Sequence, residues 1–243
     1  MVTAALRHRP PLRGVLFDLD GTLLDIDGEG FLDAYVDGLT AYWQPADAGA
    51  FRQAVMAAAV PIFSAHPDRT NGEVFRQHLA AYLGTDPAAI AATMAAFHAT
   101  ALPVLPFPHR PAPGARACVL ACLRRGLRLA VATTPIYTPE VIRLRLGWAG
   151  LDDLPWHLVT HSENMHTCKP NTNYYEEAST LLGLPAQACL MVGDDPLQDG
   201  PAGRVGMATL MRAQEGEGDQ AGWGSLEEVA VAVEAAPVEP PGR

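Results

Sequence analysis

Basic side chains are scarce in this sequence, and no block of them interrupts a net negative charge. The chain has 17 Lys and Arg residues against 27 Asp and Glu residues, so that its formal net charge is −10. Because proteins that bind nucleic acid normally present a basic face, we expect no nucleic-acid partner. An acidic protein still binds an anionic substrate when a metal ion and a few cations lie in its pocket.

Cysteine is also rare, with four residues at positions 118, 122, 168 and 189. No two of them form a Cys-x-x-Cys pair, which argues against a redox or zinc motif. Cys118 and Cys122 lie four residues apart on a predicted helix, and we interpret them as small buried residues rather than as a metal or redox pair. Free thiols are typical of a reducing compartment, so we expect a cytoplasmic location.

Long apolar runs are not evident. We find no run of about 18 apolar residues, so we expect no membrane-spanning segment. Residues 1–11 contain Arg7, His8 and Arg9 without a long apolar segment after them, which argues against a signal peptide. Apolar residues make up 49% of the 243 residues, which is typical of a globular chain long enough for a core domain with an insert.

Short apolar runs do occur, and they predict buried parallel strands at residues 14–17, 127–132, 158–160, 189–192 and 207–211. Helical patterns lie between most of these runs, for example at residues 115–123 and 171–182. Ser225 and Glu228 form a capping-box pattern before the last helix. Alternating strands and helices predict an α/β fold with a parallel sheet that is covered on both faces.

Residues 27–106 differ from the rest, because helical patterns follow one another there without a clear strand. Leu32, Tyr35 and Leu39 recur at helical spacing, and Asp86 followed by Pro87 is typical of a helix start. Four such helices predict an all-helical domain inserted into the α/β pattern.

This organisation predicts a core domain at residues 1–26 and 107–243 and a helical insert at residues 27–106. The proline-rich segment 103–113 would return the chain to the sheet as one of two hinge strands. The proline-rich tail, residues 237–243, is predicted to be loose.

The strongest chemical signal is the string Asp18-Leu19-Asp20-Gly21-Thr22, directly after the first strand. In a parallel sheet the carboxyl ends of the strands face the ligand crevice. Two carboxylates so close repel each other unless a cation or a shared proton intervenes. Gly21 permits the sharp turn that directs both of them to one point.

This string resembles the Asp-x-Asp-Gly-Thr signature of the haloacid dehalogenase-like (HAD) superfamily. Three further elements match in the family's order: Thr133 at a strand end, Lys169 in a Lys-Pro step, and the acidic loop at residues 193–199. Thr134 departs from the pattern, because many relatives carry Asn there. The surroundings of residues 148–151 and 168–175 resemble a little-characterised bacterial branch with a helical, C1-type cap.

The resemblance implies a Rossmann-like, doubly wound core with the helical cap inserted after strand 1. It also implies that Asp18 is a nucleophile that attacks phosphorus, and that Asp20 acts first as general acid and then as general base. Thr133 would bond a phosphoryl oxygen, although a strand-end threonine commonly satisfies only local backbone. Lys169 would neutralise the nucleophile and the phosphoryl group.

A Mg²⁺ site follows from the same resemblance, with a carboxylate from Asp18, the backbone carbonyl of Asp20 and a carboxylate from the acidic loop. The loop spacing leaves both Asp194 and Asp195 open as that ligand, with Asp194 favoured. Asp199 is expected to support the site by positioning a metal-bound water or Lys169.

The implied function is a Mg²⁺-dependent phosphatase for a small phosphomonoester, such as a phosphorylated metabolite. A phosphomutase shares all four elements and stays an alternative. A dehalogenase attacks carbon and needs neither Mg²⁺ nor Asp20, and a catalytically silent binding protein would usually have lost one of the elements. In the cap, the polar segment 66–72 is a candidate to face the pocket, with Arg69 contacting a second anionic group of the substrate.

Overall fold

A parallel sheet of six strands forms the centre of the computed structural model, which describes residues 10–213 and 223–237. The strands of the protein are β1 (Gly14–Phe17), β2 (Leu24–Ile26), β3 (His109–Pro111), β4 (Arg128–Val131), β5 (Leu158–Val159), β6 (Cys189–Gly193), β7 (Ala208–Arg212) and β8 (Trp223–Gly224). The order in the sheet is β5-β4-β1-β6-β7-β8, and all of its pairs are parallel. The five predicted strands are therefore confirmed.

Helices connect and cover the strands. They are α1 (Gly28–Trp43), α2 (Ala48–Ala59), α3 (Asn71–Leu83), α4 (Pro87–Thr100), α5 (Ala115–Arg124), α6 (Pro139–Trp148), α7 (Thr172–Leu181) and α8 (Leu226–Ala235). Asp86 caps α4 and a capping box begins α8, as the sequence predicts. Helices α1 to α4 follow one another between β2 and β3, which confirms an inserted helical cap.

Both faces of the sheet are buried. Along β1, Val15 and Phe17 point into one apolar cluster, whereas Leu16 points into a second cluster on the opposite face. This alternation is the reason for the continuous apolar run in the sequence. The doubly wound α/β prediction is confirmed, and all four cysteines are free and buried, with Cys118 and Cys122 packed in the first cluster.

Two short strands connect the cap to the core. β2 and β3 form an antiparallel pair in which Leu24 lies opposite Pro111. The proline-rich return was predicted as a hinge strand, but β2 was not predicted, because three residues are too few to reveal a period. β8 has two residues and was missed for the same reason. The predicted boundaries at residues 27 and 106 stay a prediction, and the tail beyond residue 237 lies outside the described residues.

One helical stretch, Pro87–Val104, is long and apolar enough to cross a membrane by length and composition, with a mean hydropathy of 1.3 and 28% of it buried inside the protein. The expectation that no such run exists is therefore wrong. A single helix of this kind is weak evidence for a membrane span, because helices in the core of a globular protein reach the same length and hydropathy. Ile90, Met94 and Phe97 of this stretch pack in the first apolar cluster, and the absence of a membrane partner stays a prediction.

The start of α3 attaches the cap to loops of the core. The side chain of Asn71 is fully buried and donates to the carbonyls of Pro135 (3.0 Å) and Thr167 (3.2 Å). The backbone N–H of the same residue donates to Met165 O at 2.8 Å. Buried carbonyls are costly to leave without a donor, so these bonds fix one end of the cap against the segment that precedes Lys169.

We expect Asn71→Ala to lower the free energy of unfolding by about 1–3 kcal/mol, because two buried carbonyls lose a donor. Urea unfolding followed by circular dichroism measures this change. Gln77→Ala is the matched control, since Gln77 is an exposed residue of the same helix that accepts only from Arg69. Equal stability of the two variants would show that the Asn71 bonds do not attach the cap.

Candidate active site

Three adjacent strands bring the predicted site residues to one edge of the sheet. β1 pairs with β4 on one side and with β6 on the other, so that its last residue lies opposite both Val131 and Val192. Asp18 follows β1 directly, and Thr133 and Asp194 follow β4 and β6. Because parallel strands end at the same edge, these side chains converge although they are far apart in the sequence.

A cavity of about 540 Å³ opens at this edge, between the sheet and α1 of the cap. It is lined by every residue that the sequence predicts for catalysis or metal binding: Asp18, Asp20, Thr133, Lys169, Asp194, Asp195 and Asp199. Leu32, Ile136 and Tyr137 also contribute to its wall. Asp27 and Glu29, at the start of α1, line it as well, so the cavity combines charged and apolar groups.

Three carboxylates crowd together at the charged side. Oxygen atoms of Asp18, Asp194 and Asp199 all lie within 4.8 Å of one another. Burial and the charge of Asp199 raise the pKa of Asp194 to about 6. Burial also raises the pKa of Asp18 well above its ordinary value, the charge of Lys169 lowers it, and the two neighbouring aspartates raise it. Without a further cation, the cluster therefore resists full ionisation.

Lys169 lies inside this cluster and is almost completely buried, with 1% of its surface exposed. Its Nζ donates to Asp18 Oδ1 at 2.8 Å and to Asp199 Oδ1 at 2.6 Å. Burial opposes the charged form of Lys169, but Asp18 and Asp199 outweigh it and raise the Lys169 pKa well above its ordinary value. The ammonium is therefore charged and holds the nucleophile candidate in place.

The residues present fit a divalent cation. Three carboxylates face a single ammonium, so the ionised cluster keeps two units of negative charge. Closely spaced carboxylate oxygens are the ligands that hard divalent cations prefer. Asp18, Asp194 and Asp199 are thus the residues that could hold a metal.

The aspartates of the acidic loop after β6, residues 194, 195 and 199, make different contacts. Asp199 Oδ2 accepts from the backbone N–H groups of Asp194 (3.2 Å) and Asp195 (3.3 Å). Asp195 Oδ1 accepts from Leu197 N at 2.7 Å, so this carboxylate is occupied with its own loop. A Cβ at Gly193 would lie 2.0 Å from Asp199 Oδ2, which explains the glycine there. Asp194 belongs to the acidic cluster, whereas Asp195 lies beside it.

Gly21 allows the two acidic loops to approach each other. Its φ is +78°, and a Cβ at this position would lie 2.0 Å from Asp194 Oδ2. Thr22 Oγ1 then donates to Asp194 Oδ1 at 3.1 Å. A side chain at position 21 would therefore be strained and would also push Asp194 out of the cluster.

Thr133 has its carbonyl fixed and its hydroxyl directed to the cavity. The carbonyl accepts from Thr160 Oγ1 and from the Tyr174 hydroxyl, both at 2.9 Å. Within the described residues, the Thr133 hydroxyl has no hydrogen-bond partner, although the residue is 4% exposed and lines the cavity. The hydroxyl therefore does not serve local backbone and is available to a ligand.

Sequence reasoning missed Arg145, which pairs with Asp20. This arginine of α6 is fully buried, and its Nη2 donates to Asp20 Oδ2. Its guanidinium lies 5.2 Å from the ring centroid of Phe31 and 4.9 Å from that of Tyr137. In the sequence, Arg145 stands on the otherwise apolar face of α6, and a charge at such a position is the signal that could have revealed it.

Arg69 does not line the cavity. Its Nη1 donates to Gln77 Oε1, and its side chain is exposed. In the same segment, Thr70 caps α3, and Asn71 and Gly72 donate to core loops. The hypothesis that Arg69 contacts a second anionic group is therefore wrong, because segment 66–72 is used to begin and attach α3.

A sequence model described as haloacid dehalogenase-like hydrolase matches residues 12–206, which is most of the chain. No curated protein matches the sequence.

Solved structures share the fold at low sequence identity. A HAD phosphatase from Thermococcus onnurineus is similar with a TM-score of 0.55 and 18% identity, over 93% of this chain and 100% of the other. A putative beta-phosphoglucomutase from Thermotoga maritima has a TM-score of 0.53 and 15% identity, over 92% and 99%. An L-2-haloacid dehalogenase has a TM-score of 0.54 and 18% identity, over 93% of this chain and 100% of the other. At these identities the similarity establishes the fold alone.

We expect the metal-free protein to lose stability as the pH rises through about 6. The pKa of Asp194 is raised from 3.8 to about 6, so the folded state keeps a proton that the unfolded chain releases. The resulting contribution to stability is present at low pH and is lost above about pH 6. Thermal unfolding in EDTA at pH 5 and pH 8 measures it.

Asp194→Asn removes the carboxyl group that titrates. The Tm of this variant should be higher than that of the wild type at pH 8 and should change less between pH 5 and pH 8. Asp195→Asn, in the same loop but outside the cluster, is the matched control and should follow the wild type. An Asp194→Asn variant indistinguishable from the wild type at both pH values would contradict the account of the cluster.

Proposed function

Because the chain belongs to the haloacid dehalogenase-like hydrolases, we propose that it is a Mg²⁺-dependent phosphatase. Its substrate is a small phosphomonoester, and the reaction passes through an aspartyl-phosphate on Asp18. The observation that carries this proposal is the cluster of buried Asp18 and Asp199 and half-buried Asp194 beside Asp20. Chemistry at a halogenated carbon has no use for such a cluster, whereas a phosphoryl group needs a cation to approach it.

The phosphoryl group is bound at the polar side of the cavity. The unpaired hydroxyl of Thr133 donates to one phosphoryl oxygen, and the Lys169 ammonium balances charge on another. Lys169 also fixes Asp18 through its 2.8 Å bond, which keeps the carboxylate oriented for attack. Asp18, Asp194 and the carbonyl of Asp20 would hold Mg²⁺, which supplies charge stabilisation for the transferring group when bound.

In the first step, a carboxylate oxygen of Asp18 attacks phosphorus while the bond between phosphorus and the ester oxygen breaks. Asp20 gives its proton to the departing oxygen, so the alcohol leaves in neutral form. Asp20 Oδ2 is held by Arg145, and Asp20 Oδ1 is buried without a partner among the described residues. That second oxygen is the one available for proton transfer.

In the second step, water attacks phosphorus in the aspartyl-phosphate, and Asp20 takes the proton of that water. The bond between phosphorus and Asp18 breaks, and the carboxylate and inorganic phosphate are released. Asp20 returns to its protonated form, ready for the next ester. Arg145 acts through Asp20 and is therefore a positioning residue.

The alternatives differ in their products. A phosphomutase returns the phosphoryl group to its substrate and releases little phosphate, and a dehalogenase releases halide without Mg²⁺. A catalytically silent protein releases neither. The complete set of Asp18, Asp20, Lys169 and the acidic loop supports turnover.

We expect phosphate release from phosphomonoesters, with p-nitrophenyl phosphate as the generic member, in the presence of Mg²⁺ and none in EDTA. Asp18→Asn should lower kcat by about 10⁴-fold or more, because the nucleophile is lost. A colorimetric phosphate assay across a panel of esters measures both effects. Asp68→Asn is the matched control, since Asp68 is exposed and does not line the cavity.

Circular dichroism of Asp18→Asn confirms that the loss of activity is not a loss of fold. Full activity of this variant, or release that is unaffected by EDTA, would refute the proposed mechanism. Release of halide from 2-haloacids by the same preparation would point to the dehalogenase alternative.

We expect Arg145→Met to lower kcat/KM about 10- to 100-fold for an alkyl phosphate, whose alkoxide leaves only with a proton from Asp20. p-Nitrophenolate leaves without a proton, so kcat/KM for its ester should change by less than about threefold. Steady-state kinetics with esters of similar size separates the two effects.

Arg143→Met is the matched control, because Arg143 is exposed on the same helix. An equal loss with both leaving groups would mean that Arg145 supports the fold of the site rather than the position of Asp20.

A further inference from the structure

A second cavity lies inside the cap. It measures about 480 Å³ and lies among α1, α2 and the segments around Ile62 and Ile136. Thirteen of the described residues line it, and none of them is charged. A cavity of this size is within the range that holds a small ligand, but its wall has almost nothing to offer to a polar one.

This apolar cavity adjoins the candidate active site. Leu32, Ile136 and Tyr137 line both of them. The phosphoryl-binding groups lie at the strand ends on the sheet side of the first cavity, and these three residues form its boundary with the apolar space. A ligand that is anchored by its phosphoryl group would extend past them.

Two side chains of the apolar cavity carry a hydroxyl group, those of Tyr35 and Tyr137, and the first is already used. The Tyr35 hydroxyl is bonded to His98 Nε2 at 2.7 Å, and burial holds the pKa of this hydroxyl far above its ordinary value. Tyr35 therefore presents a neutral, hydrogen-bonded ring to the cavity. A sugar or other polyol placed here would leave most of its hydroxyl groups without partners.

The outer wall of the cavity is apolar and open to solvent. Met56 is 41% exposed, Val60 is 67% exposed and Phe63 is 49% exposed. Clustered exposed side chains of this kind mark a binding site more often than they mark ordinary surface. Because they line the cavity next to the active site, this face leaves an apolar ligand a way in from solvent.

We propose that the apolar cavity holds the alcohol part of the substrate, which is a hydrocarbon-rich chain or ring rather than a polyol. This inference rests on the proposed phosphatase function and specifies its substrate class. The phosphoryl group binds at Asp18, the ester oxygen lies near Asp20, and the carbon chain passes between Leu32, Ile136 and Tyr137 into the cap.

The test is a series of n-alkyl phosphates from butyl to octyl, assayed for phosphate release with Mg²⁺. The leaving alcohols in this series have nearly the same acidity, so that only apolar contact changes along it. Each added methylene should raise kcat/KM by about fourfold until the cavity is filled, which amounts to about 250-fold if all four added methylenes fit. A hexose 6-phosphate should be turned over less well than hexyl phosphate.

Ala59 lines the apolar cavity and is half-buried, so the indole of Ala59→Trp should fill the cavity. In this variant kcat/KM should no longer rise with the length of the alkyl chain. Ala57→Trp is the matched control, since Ala57 lies on the same helix and outside the cavity wall. In this control variant, kcat/KM should still rise with the length of the alkyl chain. Circular dichroism of both variants reports on folding, and the wild-type series stands as a test even if Ala59→Trp does not fold.

Failure of the proposed substrate class and failure of the proposed phosphatase function give different results. Release from every ester with a flat profile in the wild type would overturn the substrate class and leave the phosphatase function intact. Release from none of the esters would overturn the proposed function and the substrate class with it. A flat profile together with a sedimentation coefficient that Ala59→Trp lowers would assign the apolar face to a second copy of the chain instead.

Discussion

The buried ammonium of Lys169 between Asp18 and Asp199 is the interaction on which the rest of the site depends. Three carboxylates within 4.8 Å cannot all ionise in a buried position without positive charge, and one ammonium offsets only part of theirs. The arrangement is therefore unfavourable as a purely structural feature. A bound divalent cation would offset the remaining negative charge, which would link the stability of the site to the cofactor of the proposed reaction.

The fold supplies this cluster through strand register. β1 lies between β4 and β6, and their ends are level, so that residues from three distant parts of the chain meet at one edge. Glycines at positions 21 and 193 then allow the loops to approach closer than any side chain would permit. The cap completes the site from the other side, with a wall of different chemistry. The charged cavity at the sheet edge and the apolar cavity of the cap share Leu32, Ile136 and Tyr137.

Much of the core site could be predicted from the sequence. Asp18, Thr133 and Asp194 lie at the ends of strands with clear apolar runs, whereas Lys169 was found from its Lys-Pro step before α7, through the resemblance to the family. All four line one cavity. Arg145 was not predicted, because its role depends on the packing of α6 beside Asp20. This contact joins residues that are far apart in the sequence, so no local sequence pattern indicates it. Arg69 was assigned to the pocket because it is polar and lies in a loop, whereas the neighbouring Asn71 shows that this loop attaches the cap. The apolar cavity was also out of reach, because its wall comes from α1, α2, α3, α4 and the segment after β4 together.

The central claim is that Asp18 becomes covalently phosphorylated during turnover. Rapid acid quench of the enzyme in the presence of Mg²⁺ and a phosphomonoester, followed by peptide mass spectrometry, tests it directly. We expect a phosphate adduct on the peptide that carries Asp18, present with Mg²⁺ and lost in EDTA or in Asp18→Asn. Turnover at full rate without any adduct there, or with the adduct on another residue, would contradict it.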